Sequence, residues 1–169
     1  MREKLKDKFL ERGRYKGEFS KYGLKSAYKG LATTTICLIN VSAINGEDAL
    51  TDHIWLNLTK GFKKLGYLTP GDVIAFDARV RDYEKGYGDE EKSVDYKLSH
   101  PTKIEVLSKS PARYEYKICS QCHYPNRQSQ ESCRRCGKGF SQVVEQREEE
   151  KLKQIKLFGV VQTRNLTQK

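Results

Sequence analysis

The sequence predicts a mainly β domain followed by a small metal-binding module. Strand-like segments rich in β-branched residues recur between residues 33 and 107, with one short helical stretch among them. Four of the five cysteines form two CxxC pairs near the end of the chain. The 169 residues are enough for one ordinary domain and a small appendage.

The N-terminal segment, residues 1–13, is predicted to be a basic helix. Leu5 and Phe9 lie on one side of a helix over 2–12, and Gly13 would end it. Residues 14–30 are rich in tyrosine, glycine and lysine, and their first half alternates well enough for a strand.

The middle of the chain contains the clearest strands. "TTTICLINVSAI" (33–44) and "DHIWLNLT" (52–59) flank the turn "NGED". "TKGFKKLGYL" (59–68) fits one or two helical turns, and "TPGD" then leads into the alternating strand 73–83. The segment 94–107 supplies the last strand material. Cys37, in an apolar strand, is predicted to be a buried small side chain.

The order of these elements over residues 14–108 resembles the OB-fold, a five-stranded Greek-key barrel, here with a short helix between strands three and four. The segment "GDVIAFDARV" is similar to many OB fourth strands. The block around it also resembles uncharacterised prokaryotic and mobile-element proteins, which implies no function. An SH3-like barrel or another α+β domain is the alternative fold.

The two cysteine pairs predict a structural zinc site in a module over residues 109–140. Cys119, Cys122, Cys133 and Cys136 have the spacing CxxC-x10-CxxC, which resembles a zinc ribbon. Four thiolates leave no open position for a substrate, and Gly137 suits a tight knuckle. An iron–sulfur cluster or a disulfide pair is the alternative, and His123 is interpreted as a surface imidazole.

The remaining residues, 141–169, are predicted to form a C-terminal helix over 141–158 and a tail. No run of eighteen apolar residues and no apolar signal-peptide core is present, so we expect no membrane partner and a cytoplasmic location.

The net charge of +10 is concentrated in two places. Residues 1–31 hold ten Lys/Arg against four Asp/Glu, and residues 109–139 hold seven against two. A polyanion such as nucleic acid is the expected partner of such segments, and a solvated basic surface is the alternative.

Strand alternation places several rings and cations on the outer face of the domain. In strand 52–59 the apolar Ile54 and Leu56 face the core and Trp55 faces outward. In strand 73–83 the core face carries Ile74 and Phe76. The predicted nucleic-acid-binding residues of the domain are Tyr22, Lys25, Tyr28, Lys29, Trp55, Arg79, Arg81, Tyr83, Lys85 and Tyr87.

Two further predictions concern how these residues meet. The segments Tyr22–Lys29 and Tyr83–Tyr87 are predicted to border one cleft, as adjacent loops do in an OB-fold. On the cysteine module, Arg134, Arg135 and Lys138 are predicted to contact phosphates. The acidic cluster 89–91 counts against a continuous groove and is alternatively a protein-binding edge.

The predicted function is binding of single-stranded DNA or RNA without catalysis. The sequence has no Gly-rich phosphate loop, HExxH or Gly-x-Ser-x-Gly motif, and its three histidines are scattered. A protein–protein adaptor in a replication, transcription or defence-related assembly is the alternative. A metal-dependent nuclease built from distant carboxylates is a third, enzymatic alternative.

Overall fold

A computed structural model describes residues 2–86, 92–112 and 114–140 of the chain. Five antiparallel strands form one sheet in the order β3-β2-β1-β4-β5. The elements are α1 (Glu3–Lys6), β1 (Arg12–Lys25), β2 (Thr33–Ala43), β3 (Ala49–Asn57), α2 (Lys60–Lys63), β4 (Val73–Lys85), β5 (Ser93–Ser108), β6 (Lys117–Ile118) and β7 (Pro125–Asn126). The last two strands form a separate two-stranded sheet in the cysteine module.

Strand β1 is the centre of the large sheet. Residues 12–18 pair with β4 and residues 15–25 pair with β2, and β-bulges interrupt the latter register. Tyr15 and Phe19 point into the core from this strand. Gly17 lies buried between them. A glycine suits this position because a Cβ there would press against Val41 and Leu38 of β2. A long, bent central strand lets one sheet wrap around its own apolar face.

The predicted strand phases in β3 and β4 are confirmed. Ile54 and Leu56 are buried, whereas Trp55 is 43% exposed. In β4 the alternate residues Ile74, Phe76, Ala78 and Val80 are all completely buried. The short helix between the third and fourth strands is also present as α2, and its Phe62 packs into the same core.

The predicted helix over residues 2–12 is reduced to one turn, Glu3–Lys6. The chain leaves the helix because Leu10 adopts a left-handed backbone conformation, with φ of 65°. The Leu10 N–H then donates to the carbonyl of Val80, whose own N–H donates to Glu11. Pairing with β4 therefore replaces the second half of the predicted helix.

The predicted mainly β fold is confirmed as a five-stranded antiparallel sheet, but this sheet is not closed into a barrel. Within the residues that the structure describes, β3 and β5 are not paired by backbone hydrogen bonds, so the sheet stays open along a seam between them. Helix α1 contacts both strands and lies over this seam. Its Leu5 side chain, completely buried, enters the core there. The N-terminal segment thus covers apolar surface that closure of the sheet would otherwise cover.

Arg2 joins the two sides of the seam. Its backbone N–H donates to Asp95 Oδ1 at 2.9 Å, and its Nε donates to Thr51 Oγ1 at 3.2 Å. Its Nη1 donates to the carbonyl of Tyr96 at 2.9 Å and to the Tyr83 hydroxyl at 3.2 Å. One side chain therefore bonds both β3 and β5 across the gap.

Among the described residues, no helix is long and apolar enough to cross a membrane. The predicted C-terminal helix over 141–158 lies outside the described residues, as do Tyr87 and the acidic cluster 89–91.

The seam gives a stability prediction for Leu5. Leu5→Ala should lower the free energy of unfolding by about 2–4 kcal/mol, because it removes buried methyl groups and leaves a cavity. Urea denaturation followed by circular dichroism measures this change. Leu107→Ala, the same substitution at a position 47% exposed, is the control and should change stability far less. Equal effects of the two substitutions would contradict the role of Leu5 in covering the seam.

Asp95, at the seam, should make the stability of the fold depend on pH. Burial disfavours the Asp95 carboxylate, but the N–H groups of Arg2 and Tyr96 and the Arg2 charge outweigh it and lower its pKa. A lowered folded pKa stabilises the fold above the ordinary aspartate value of about 3.9, and this contribution is lost as pH falls through the folded pKa.

Asp95→Asn should therefore weaken the fold at pH 7 and lose less further stability than the wild type between pH 4.5 and pH 2.5. Urea midpoints at these three pH values measure the difference. Asp72 and Asp77 also have lowered pKa values, so the variant should keep part of the acid sensitivity. If Asp95→Asn lost as much stability as the wild type between pH 4.5 and pH 2.5, Asp95 would not be a source of the pH dependence.

Candidate metal centre and adjoining cleft

The four cysteines of the two CxxC pairs converge on one point. Their Sγ atoms all lie within 4.8 Å of one another and could hold a metal ion. Cys119 and Cys136 have Sγ atoms 3.6 Å apart, and those of Cys122 and Cys133 are 3.5 Å apart. Each close pair joins one CxxC turn to the other, so a bound ion would link the two turns.

The two CxxC turns have the same backbone geometry. The residue after each second cysteine has a positive φ, 55° at His123 and 75° at Gly137. Each of these residues donates its N–H to the carbonyl of the first cysteine in its turn, at 2.9 and 2.8 Å respectively. The positive φ explains why a glycine suits position 137, as predicted. His123 occupies the equivalent position in the first turn, and its side chain is exposed, as predicted.

Backbone N–H groups point at the sulfurs and favour thiolates. At Cys119, the N–H groups of Cys122 and Gln121 outweigh burial and lower its pKa. Burial alone would raise the pKa of Cys133, but N–H groups of Cys136 and Arg135 outweigh it and lower the pKa to about 6. These donors favour the thiolate form of Cys119 and Cys133, which is the form that binds metal. At Cys122, by contrast, burial and the neighbouring cysteines raise the pKa to about 12.

Asn126 ties the two turns together behind the sulfurs. The residue is 1% exposed. Its Nδ2 donates to the carbonyl of Tyr124 at 2.8 Å and lies 3.6 Å from the Cys133 Sγ. Its Oδ1 accepts the N–H of Arg134 at 3.0 Å. One buried amide thus contacts both turns and one ligand, a role that the sequence analysis did not predict.

The cysteine module is attached to the sheet through tyrosines. Tyr116 packs edge-on against Tyr22, with ring centroids 5.4 Å apart, and its hydroxyl donates to the Leu68 carbonyl at 3.0 Å. The Leu68 N–H in turn donates to the Tyr22 hydroxyl at 2.8 Å. The first residues of the cysteine module therefore pack on the sheet.

Trp55 lies across the outer face of the sheet. It pairs with Cys37 of β2, and its indole reaches past β2 to Gly23 of β1. A Cβ on residue 23 would overlap the six-membered ring, so the glycine is what lets the ring lie this close. Cys37 and Thr35 face outward yet are buried, which fits an indole passing above them.

A cleft of about 560 Å³ runs between this face and the cysteine module. Trp55 and Gly23 line the sheet side, and Tyr124 and Pro125 line the module side. The charged residues that line it, among those the structure describes, are the cations Lys21, Arg127 and Arg134. Tyr114, 41% exposed, adds a second accessible ring.

The structure divides the predicted nucleic-acid-binding residues into separate places. Trp55 and Arg134 line the cleft, as does Tyr22, but Tyr22 is only 8% exposed and belongs to the core. Burial raises the pKa of Tyr22 to about 12 despite its hydrogen bond from Leu68. Little of this ring is therefore accessible from the cleft. Lys25, Tyr28 and Lys29 are exposed in and after the end of β1.

The predicted cleft between Tyr22–Lys29 and the end of β4 is not formed by the described residues. Arg79 pairs with Arg12 at the start of β1, whereas Trp55 lies over Gly23 near its end. Arg81, Tyr83 and Lys85 continue along β4 away from the Trp55 cleft. The Tyr83 hydroxyl is engaged by Arg2 at the seam.

Arg135 and Lys138 make contacts within the protein. The Arg135 guanidinium donates to the carbonyls of Ala32 and Cys122, at 2.9 and 3.2 Å. Lys138 Nζ donates to Ser120 Oγ at 2.9 Å and stays exposed. Tyr114 was not predicted as a site residue, because only the packing of the module on the sheet brings it, with Lys21 and Arg127, to the cleft that Trp55 lines.

No protein-family model, curated protein or solved structure matches this chain.

Asn126 supplies a prediction for the metal centre. Asn126→Ala should weaken metal binding about 10- to 100-fold, because the amide positions the Cys133 ligand and the second turn. Competition with a chromogenic chelator measures the affinity. Gln128→Ala, at an exposed neighbouring position, should leave the affinity unchanged. An unchanged affinity in Asn126→Ala would refute the supporting role of the amide.

Proposed function

We propose that this protein binds single-stranded nucleic acid in the cleft between the outer face of the sheet and the cysteine module. The observation that carries the proposal is the position of Trp55, whose ring lies on Gly23 with part of its surface exposed. The surrounding cations would meet the phosphates. Accessible rings beside cations are the combination that binds unpaired bases.

The strand order supports the proposal that the sheet is an OB-fold variant. The order β3-β2-β1-β4-β5, with a helix between β3 and β4, is that of an OB barrel with one strand pairing missing. OB-folds bind oligonucleotides on the face of strands two and three, and the Trp55 indole spans β3 and β2.

We propose Zn²⁺ as the ion of the cysteine cluster. Zinc–sulfur bonds of about 2.3 Å in a tetrahedron put the sulfurs about 3.8 Å apart. The two closest Sγ pairs, at 3.6 and 3.5 Å, are near this value. Four sulfur ligands with no other donor in the cluster suit a structural ion.

In this proposal the binding has two physical components. Each base that stacks on an exposed ring contributes about 1–3 kcal/mol and does so for any base. The contacts of Lys21, Arg127 and Arg134 with phosphates release counterions, so affinity should fall as salt rises. The mechanism therefore predicts little sequence preference and a marked dependence on salt.

The prediction for Trp55 tests this function. Trp55→Ala should weaken binding of a 20-nucleotide single strand about 5- to 100-fold, the effect expected for loss of a stacked base. Fluorescence anisotropy with labelled DNA, RNA and duplex at two salt concentrations measures it. Phe9→Ala, which removes an exposed ring at the seam, is the matched control and should bind as the wild type does.

Gly23→Ala gives a second test that keeps the indole. The added Cβ would displace the ring from the sheet, so this variant should also bind more weakly. Weak binding that vanishes with salt and is the same in wild type and Trp55→Ala would reject the proposed site and favour the protein–protein adaptor.

A further inference from the structure

Arg135 contacts both cysteine turns and the sheet. Its backbone N–H donates to the Cys133 Sγ at 3.4 Å. Its Nη1 donates to the carbonyl of Cys122 in the other turn at 3.2 Å. Its Nε donates to the carbonyl of Ala32, just before β2, at 2.9 Å. The same residue thus joins a metal ligand, the opposite turn and the sheet.

The cysteine module forms one side of the Trp55 cleft. Tyr124, Pro125, Arg127 and Arg134 line the cleft, and all four lie between the first and last cysteine ligands. A segment this small has too little core to fold alone, so its conformation depends on the metal. The geometry of the cleft must then depend on whether the cysteines hold an ion.

We propose that Arg135 is a positioning residue that couples metal binding to nucleic-acid binding. This inference rests on the proposed function. The ion orders the two turns, the ordered turns place the guanidinium, and the guanidinium holds the module against Ala32. Coupling between two binding sites is reciprocal, so a bound strand must tighten metal binding by the factor by which metal tightens strand binding.

The planar guanidinium explains why arginine stands at this position. Its donors point in fixed directions and reach two carbonyls on different segments at once. A lysine has the same charge but a single ammonium group at its end, so Arg135→Lys should lose one of the two contacts. The positive charge of the lysine alone should therefore not restore the coupling between metal binding and strand binding.

The experiment measures Zn²⁺ affinity by competition with a chromogenic chelator, with and without a saturating 20-nucleotide thymidine strand. In the wild type the strand should tighten Zn²⁺ binding about 10-fold, within the usual range of coupling between sites. Chelated wild-type protein should bind the strand more weakly by a similar factor. In Arg135→Ala both factors should be clearly reduced, while the protein still binds one Zn²⁺ per chain.

Arg134→Ala is the matched control. This neighbouring cation lines the cleft, so its loss should weaken strand binding but leave the coupling factor at saturation unchanged. If Arg135→Ala binds no Zn²⁺, Arg135→Lys replaces it, and this variant should bind Zn²⁺ with a reduced coupling factor.

Three results would overturn the inference. If strand binding depends on Trp55 but the bound strand does not change the Zn²⁺ affinity, the coupling is rejected and the proposed function still stands. A full coupling factor in Arg135→Ala, or in Arg135→Lys where that variant replaces it, would reject the role of Arg135. An absence of Trp55-dependent binding in the metal-loaded wild type would reject the proposed function and the coupling with it.

Discussion

The cysteine module depends on one constraint, which is that four cysteine sulfurs lie within 4.8 Å of one another. Backbone N–H groups lower the pKa of Cys119 and Cys133, whereas burial and the neighbouring cysteines raise that of Cys122 to about 12. The cysteine turns are stable together only when a cation or protons neutralise the sulfurs. A bound ion and the packing of the tyrosines on the sheet would therefore set the shape of the small module, since it has little core of its own.

The cleft exists because this module lies against a sheet whose outer face is partly apolar. Here Gly23 leaves room for the indole, and the indole covers Cys37 and Thr35. The module then adds cations from the other side. The sheet contributes Trp55 and Lys21, and the module contributes Tyr114, Arg127 and Arg134, so only the packed units bring all of these rings and cations together.

The two sheet edges at the open seam are covered by the N-terminal segment and, in the described part of the chain, are not paired with each other. An edge strand with free N–H and C=O groups invites pairing with other chains, and natural proteins cover or close such edges. In this protein α1 lies over β3 and β5, Leu5 fills the core and Arg2 hydrogen-bonds to both strands. The N-terminal segment is thus part of the fold, although its charged sequence resembles a detached basic helix.

Local sequence determined much of this structure. The alternation in β3 and β4 is a property of neighbouring residues, so the inward Ile54 and Phe76 and the outward Trp55 could be read directly. The CxxC spacing likewise determined the four-cysteine cluster, because each pair must bring its sulfurs to one side of a tight turn. The short helix between β3 and β4 followed from the change in apolar spacing.

Tertiary structure alone decided which distant residues meet. The bulged β1 pairs with β4 at one end and β2 at the other, which separates Arg79 from Trp55 although both face outward. Burial of Tyr22 and the inward hydrogen bonds of Arg135 depend on the module packing against the sheet, far along the chain. Periodicity reports the face on which a residue lies, whereas strand register and docking set its neighbours, and those contacts span many residues of sequence.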